Sequence, residues 1–345
     1  MRPIAPCDAR SCRCCVRVAV LIVNWNSGGL LARALASLHR QQRPADHIIV
    51  VDNASRDDSL EQAAPLLHDV EVMRLASNAG FSGANNAAAR AAQRFDALAL
   101  LNPDAEAEPD WLAALVDAAE RYPSAASFAS QIRFASAPDV LDGAGDSYHP
   151  SGRAWRNGYG RKASAWPSQD ADVFAACAAA ALYRREAFQL VGGFDERYFC
   201  YFEDVDLGFR LRLRGYDCIY VHRAVVRHVS SAVTGDKSDF AIYHGQRNAV
   251  WTFVKNMPRP LFWMYLPQHL ALNAVALGYY AMKGKGAVVF KAKLDALRGL
   301  RPILNTRRTV QAERVIDPAH LRRLFVRGVA RPYTEGYATD RFRQW

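Results

Sequence analysis

Seven cysteines in 345 residues do not make the even, regularly spaced set of a disulfide framework. Cys7, Cys12, Cys14 and Cys15 crowd the N-terminus while Cys177, Cys200 and Cys218 are scattered, a usage that suits a reducing compartment. Adjacent Cys14 and Cys15 do not repeat the paired two-residue gaps of a zinc site. Residues 1–17 also lack the apolar stretch of a signal peptide, so they are expected to be a disordered, dispensable leader, with the body of the protein in the cytoplasm. Internal repeats and a linker long enough to separate two domains are missing as well. The basic C-terminal region has no zinc-ligand spacing, RNA-binding signature or helix-turn-helix pattern, which removes nucleic acid from the expected partners.

What is there describes a globular chain, half hydrophobic and 11% aromatic. The net charge of +10 is local: Lys283 to Trp345 hold 15 Lys and Arg against 5 Asp and Glu, which leaves 29 of each sign in residues 1–282. Such a tail suits an anionic membrane surface. Ahead of it, Pro260–Met282 carries no formal charge and is long enough to span a bilayer. Pro267, Gln268, His269 and Asn273 inside it are costly in hydrocarbon. The segment therefore reads as an interfacial or re-entrant helix, a spanning helix, or a soluble core or dimer surface. Trp263, Tyr265, Tyr279 and Tyr280 near its ends, followed by Lys283 and Lys285, have the character of interface anchors. Residues 257–345 are thus expected to be an apolar helix and basic tail that associate with a membrane.

The first half alternates strands with helices. Apolar runs at Val18–Val23, Ile48–Val51, Val70–Leu75 and Ala97–Leu101 predict strands, and helical spacing predicts helices over Gly28–Gln42, Asp57–Leu67, Gly83–Arg94 and Pro109–Arg121. Single helices between strands imply a parallel sheet covered on both faces. From about Ser130 the sequence turns irregular as far as the apolar, alanine-rich stretch Val173–Tyr183. Helices are then predicted over Arg184–Val191, stopped by Gly192-Gly193, and over Glu203–Arg214, stopped by Gly215.

Polar residues fall just after the strands, where an open parallel sheet binds ligands. They are Asn24-Trp25-Asn26, Asp52-Asn53-Ala54-Ser55, Asn78-Ala79-Gly80-Phe81 and Asn102-Pro103-Asp104. Asp52 either accepts the imide N–H of a uracil or thymine base or caps a turn. Asp104 either holds Mg²⁺ or Mn²⁺ against a diphosphate leaving group or caps a turn before Pro109. The Asn78–Asn86 stretch, with Gly80 and Gly83, lets backbone approach a phosphate or ribose, or packs a strand tightly on a helix. In Gly192-Gly193-Phe194-Asp195-Glu196 through Glu203-Asp204-Val205-Asp206, an aromatic run leads into three carboxylates at a helix start. Asp204 or Glu203 is placed there to take an acceptor proton, while Asp206 pairs with Arg210 at i,i+4 or shares the function. His228 completes a metal shell or is structural, as is His222; Arg247-Asn248 touches phosphate or caps a helix.

Taken in order, these motifs from Val18 to Asn256 resemble glycosyltransferase family 2, in particular bacterial rhamnosyltransferase-like members. The resemblance implies a GT-A fold, an α/β Rossmann-like, mostly parallel central sheet with helices on both faces, in which 18–125 form the nucleotide-binding half and 126–256 the acceptor half. It implies a nucleotide-diphosphate sugar donor (dTDP-, UDP- or GDP-linked), a divalent cation, inversion at the anomeric carbon, and a glycan or lipid-linked acceptor at the cytoplasmic face of the inner membrane. Asp204 would be the general base with Glu203 beside it, and Asp104 with His228 would serve the metal. Asn24, Asn26, Asp52, Asn53, Asn78, Gly80, Phe81, Gly83, Asn102 and Arg247 would contact the nucleotide sugar. Asn102 stands where many relatives carry the first aspartate of an Asp-x-Asp pair. A nucleotidyltransferase on the same sheet and a catalytically inactive scaffold are the rival readings. The first lacks a basic phosphate loop at Trp25–Gly29, and intact acidic motifs speak against the second. The tail makes a separate expectation testable: membrane binding should weaken with salt as headgroup attraction is screened, and extraction by detergent alone would oppose a peripheral mode.

Overall fold

The computed structural model describes residues 16–230, 238–328 and 330–334. The four N-terminal cysteines, almost all of the 1–17 leader, Ser231 and the last part of the basic tail lie outside the described residues.

The predicted alternation forms. Strands β1 (Val18–Asn24), β2 (His47–Asp52), β3 (Val70–Arg74) and β4 (Ala97–Leu101) enclose helices α1 (Leu30–His39), α2 (Ser59–Ala63) and α3 (Gly80–Ala91), and β1 pairs in parallel with both β2 and β4. Side chains along β1 alternate between two cores: Val18, Val20 and Ile22 meet Leu31, Leu35 and Trp111, while Ala19 and Leu21 meet Ala84, Ala88 and Leu211. Helix α2 is shorter than its pattern because Pro65 turns the chain into a 3₁₀ segment, Ala64–Leu66. Helix α3 starts three residues earlier than predicted, at Gly80. Asn53 Oδ1 accepts from the Ala79 N–H at 2.8 Å and Asn78 Oδ1 from the Gly80 N–H at 2.8 Å, satisfying donors that a helix start leaves open.

The second half adds β5 (Ala105–Ala107), α4 (Trp111–Arg121), β6 (Ala125–Phe134), β7 (Ala137–Ala144), β8 (Asp146–Tyr148), β9 (Ala154–Arg156), β10 (Ala171–Asp172), β11 (Ala180–Arg184), α5 (Arg185–Leu190), α6 (Glu203–Leu213) and β12 (Asp217–His228). The main sheet has ten strands in the order β10-β12-β6-β11-β4-β1-β2-β3, with β5 on β12 and β7 on β6. It is mixed rather than mostly parallel. β11 runs antiparallel to both β4 and β6, and the tight turn between β6 and β7 enforces another antiparallel pair. Of the apolar stretch Val173–Tyr183 only the end is strand; its alanines accommodate α6, where a Cβ on Gly208 would overlap Ala175.

Among the described residues six helices follow: α7 (Asp239–Asn256), α8 (Arg259–Met282), α9 (Gly286–Arg298), α10 (Leu300–Ala312), α11 (Pro318–Leu324) and the single turn α12 (Arg331–Thr334). Among the described residues no helix is long and apolar enough to cross a membrane, so the spanning alternative for Pro260–Met282 drops out. Helix α8 lays Leu261, Tyr265 and His269, spaced by four, on the domain and leaves Trp263 62% and Leu270 60% exposed. The C-terminal region is not a free tail. Leu321 and Phe325 share a core with Tyr148, Phe174 and Phe209.

Helices α6 and α7 meet through buried charge. Asp206, fully buried, accepts from Arg210 Nε and Lys255 Nζ at 2.9 Å each and from Asn256 Nδ2 at 2.7 Å. Burial alone would raise the Asp206 pKa, but Lys255 and Arg210 hold it below the usual carboxylate value. This settles Asp206 as a scaffold residue. The preceding loop is clamped by Asn248, whose Nδ2 reaches the carbonyls of Tyr198, Cys200 and Tyr201 at 3.0, 3.0 and 2.7 Å. The clamp offsets a conformational cost of about 1–3 kcal/mol at each strained residue, because Phe199, Tyr201 and Phe202 have φ of 65°, 67° and 68°.

Asp206→Ala, which takes the buried carboxylate from Arg210 and leaves Lys255 with Asp195 alone, should cost about 3–5 kcal/mol in urea unfolding; a loss within error would contradict the network. Asn248→Ala should cost about 1–3 kcal/mol and speed amide exchange over 199–202, and unchanged exchange there would remove Asn248 from the clamp.

Candidate active site

The strand ends and the start of α6 surround one cavity of about 610 Å³. Its walls include Asn53, Asn78, Gly80, Phe81, Asn102 and Asp104 from the first half, and Glu203, Asp204 and His228 from the second. Nine predicted residues from distant parts of the chain are therefore brought together.

Asp104 and His228 meet because β5 pairs with β12, placing His228 opposite Ala105. His228 Nε2 lies 3.1 Å from Asp104 Oδ1, and its Nδ1 lies 2.7 Å from Asp142 Oδ2. Asp142, completely buried, is held in turn by Arg156 Nη1 at 2.5 Å. The result is a chain of alternating charge, Arg156–Asp142–His228–Asp104. Burial would lower the His228 pKa, but hydrogen bonds to Asp104 and Asp142 outweigh it and push it up to about 9. Burial would likewise raise Asp142, and Arg156 with His228 brings it down to about 2.

Also lining the cavity, Glu203 and Asp204 open α6. Asp204 Oδ2 accepts from the Ala178 N–H at 3.1 Å and Oδ1 from the Val205 N–H at 2.8 Å. Burial raises the Asp204 pKa against the pull of these N–H groups and of Arg156. A carboxylate that is hard to bury and yet partly compensated is suited to taking a proton from a ligand hydroxyl. Gly80 is required nearby: its φ is +71°, and a Cβ there would lie 2.5 Å from the Phe199 carbonyl oxygen.

Five predicted contacts do not face the cavity. Asn24 is fully buried and spends Nδ2 on Asp52 Oδ1, Ser55 Oγ and Ser59 Oγ at 3.0, 3.1 and 2.9 Å. It fixes the ends of β1 and β2 instead of meeting a ligand. Asp52 lies behind Asn53 with one oxygen held by Asn24. Asn26 is exposed and accepts from the Arg56 N–H at 2.8 Å. Gly83 is buried in α3 against Ala79. Arg247 donates to the carbonyls of Arg197 and Tyr198 at 3.1 Å each and stacks on Trp251, so it braces the aromatic loop. His222 is bound to Asp170 at 2.8 Å within β12 and is likewise structural.

Sequence reasoning missed Asp142, Asp146, Trp155 and Arg156. The last three line the cavity from the β8–β9 hairpin. Their segment carries no strong periodicity, and only its density of charged and aromatic residues between glycines offered a signal.

Comparison with known proteins agrees with this architecture. Residues 19–192 match the model of glycosyl transferase family 2. An N-acetylglucosaminyl-diphospho-decaprenol L-rhamnosyltransferase of Mycobacterium tuberculosis (strain CDC 1551 / Oshkosh) is 32% identical over 250 residues, 65% of this chain and 80% of that protein. Among solved structures, GalNAc-T7 with UDP, GalNAc and Mn²⁺ aligns over 70% of this chain with a TM-score of 0.59 and 17% identity; the alignment spans 48% of that longer chain. The mannosyltransferase PcManGT from Pyrobaculum calidifontis, in complex with GDP-Man and Mn²⁺, aligns over 86% of this chain and 84% of its own, with a TM-score of 0.51 and 21% identity. The two structures share the GT-A-like fold with this chain. By the extent of the family match and by its mycobacterial relative, the chain belongs to glycosyl transferase family 2 and is rhamnosyltransferase-like.

Proposed function

We propose that the protein transfers a sugar, with rhamnose the leading candidate, from a nucleotide-diphosphate donor to a hydroxyl of a lipid-linked glycan, inverting the anomeric carbon, in the synthesis of cell-surface polysaccharide. One observation carries the reading: Asp104 with His228 and Asp204 with Glu203, from distant parts of the chain, line the same cavity. The donor occupies the side of Asn53, Asn78 and Asn102, while Asp52, held by Asn24, supports the strand ends beside it.

A divalent cation fits the donor-side pair. Asp104 offers a hard oxygen, and His228 Nε2, hydrogen-bonded to it at 3.1 Å, would become a donor nitrogen once a cation displaced its proton; such a pair suits Mn²⁺ or Mg²⁺. Among the described residues no cluster of three or more potential ligands forms. Two protein donors leave positions for diphosphate oxygens and water. Bound there, the cation would neutralise charge on the departing diphosphate. The protein's own groups do the rest: Asp142 orients His228, the alanine-lined wall at 177–179 excludes water, and Asp204 accepts the proton of the attacking hydroxyl.

We further propose that residues 18–256 carry the activity, while 257–345 hold the enzyme on the cytoplasmic face of the inner membrane. The exposed Trp263 and Leu270 on α8 and the basic residues from Lys283 onward support this.

Asp204→Asn should lower transfer by ~10²–10⁴-fold while nucleotide binding, measured calorimetrically, stays near wild type; equal turnover would take Asp204 out of the mechanism. Asp104→Ala should abolish the gain in thermal stability that Mn²⁺ adds to UDP-, dTDP- or GDP-sugars, and an undiminished gain would refute its role.

A further inference from the structure

Glu203 and Asp204 are consecutive in the first turn of α6 and both line the cavity, yet the fold treats them differently. Each Asp204 oxygen receives a backbone N–H. Glu203 is 6% exposed, and its Oε2 is buried with no hydrogen-bond partner among the described residues. An anionic oxygen buried without donors bears its full desolvation cost, and two adjacent carboxylates repel one another. One proton on the pair relieves both penalties, and its natural place is the oxygen that no N–H reaches.

We propose that Glu203 is a neutral hydrogen-bond donor to the acceptor sugar, gripping an oxygen next to the attacking hydroxyl, while Asp204 alone carries the charge. The surrounding groups favour this division. Asp206 follows on the same helix and Cys200 precedes it, while Asp146 and Arg156 of the β8–β9 hairpin and Asp104 with His228 line the same cavity. The field of Arg156 bears on Asp204. Asp204 and Asp206, both acidic, bear on Glu203, which burial and Asp204 push well above the usual carboxylate range. A neutral carboxyl also recognises differently from an anion: it offers one directed O–H, and an acceptor lacking the matching oxygen leaves that group buried and unpaired.

The identity of the ligand rests on the proposed function; the place of the proton does not. Infrared difference spectroscopy between the full-length protein and Glu203→Gln at neutral pH should show loss of one protonated-carboxyl band. If the band lost is that of an ionised carboxylate, the proposal is overturned whatever the substrate. With a dTDP-rhamnose donor and a GlcNAc-diphospholipid acceptor, Glu203→Gln should keep kcat/KM for the acceptor within about tenfold. Glu203→Ala should lose on the order of 10–100-fold, through acceptor KM, with donor KM unmoved. A Gln variant as impaired as Asp204→Asn, or an Ala variant at wild-type level, would equally overturn it. Circular dichroism and nucleotide binding of each variant separate these outcomes from misfolding. Absence of turnover in the wild type would count against the proposed donor and acceptor, while the infrared band would still decide where the proton resides.

Discussion

The pairing of Ala105 with His228 is the constraint on which the site depends. It joins β5, a three-residue strand just past the end of β4, to the last residue of β12, and so seats an imidazole against a carboxylate 124 positions away in sequence. Without that pairing Asp104 would end the first half at a sheet edge, with no imidazole beside it. Strand β11 performs the complementary task by running between β4 and β6, so that the alanine stretch before it passes across the cavity toward α6.

Much of the polar material near the cavity is scaffold. The Asp206–Lys255–Arg210 cluster is a helix junction, and the positive charge of Lys255 is tolerable in the interior only because Asp206 and Asp195 flank it. The same logic governs Asp142, completely buried between Arg156 and His228. Such buried ion chains add little net stability, but removing one member leaves its partner exposed to the low-dielectric interior, which fixes the geometry.

The parallel half was legible because β1, β2 and β4 are apolar runs buried on both faces, and because the polar loops that follow the strands keep a constant relation to the strand ends. Asp104, Glu203, Asp204 and His228 were legible through position at strand or helix termini and through resemblance to a known family. Strands β6 and β7 were not. Ala125–Phe134 is rich in alanine and serine and takes its conformation from the neighbours that bury it rather than from intrinsic preference. Arg156 and Asp142 escaped for a related reason: their partners lie far off in sequence or in an irregular stretch, and no local spacing marks a residue whose purpose is tertiary. Asn24 and Arg247 show contacts that their spacing did not announce. Each sits beside a motif, but each spends its donors on the protein's own backbone or side chains.

Helix α8 and the cavity are mechanically one body. His269 contacts the Ser151 carbonyl at 2.7 Å and stacks on Phe253, and Ser151 lies in the turn of the hairpin that presents Trp155 and Arg156. Whatever rests against the outer face of α8 is thereby kept at a constant height relative to Arg156. The hairpin thus acts as a fixed gauge between that face and the interior of the cavity.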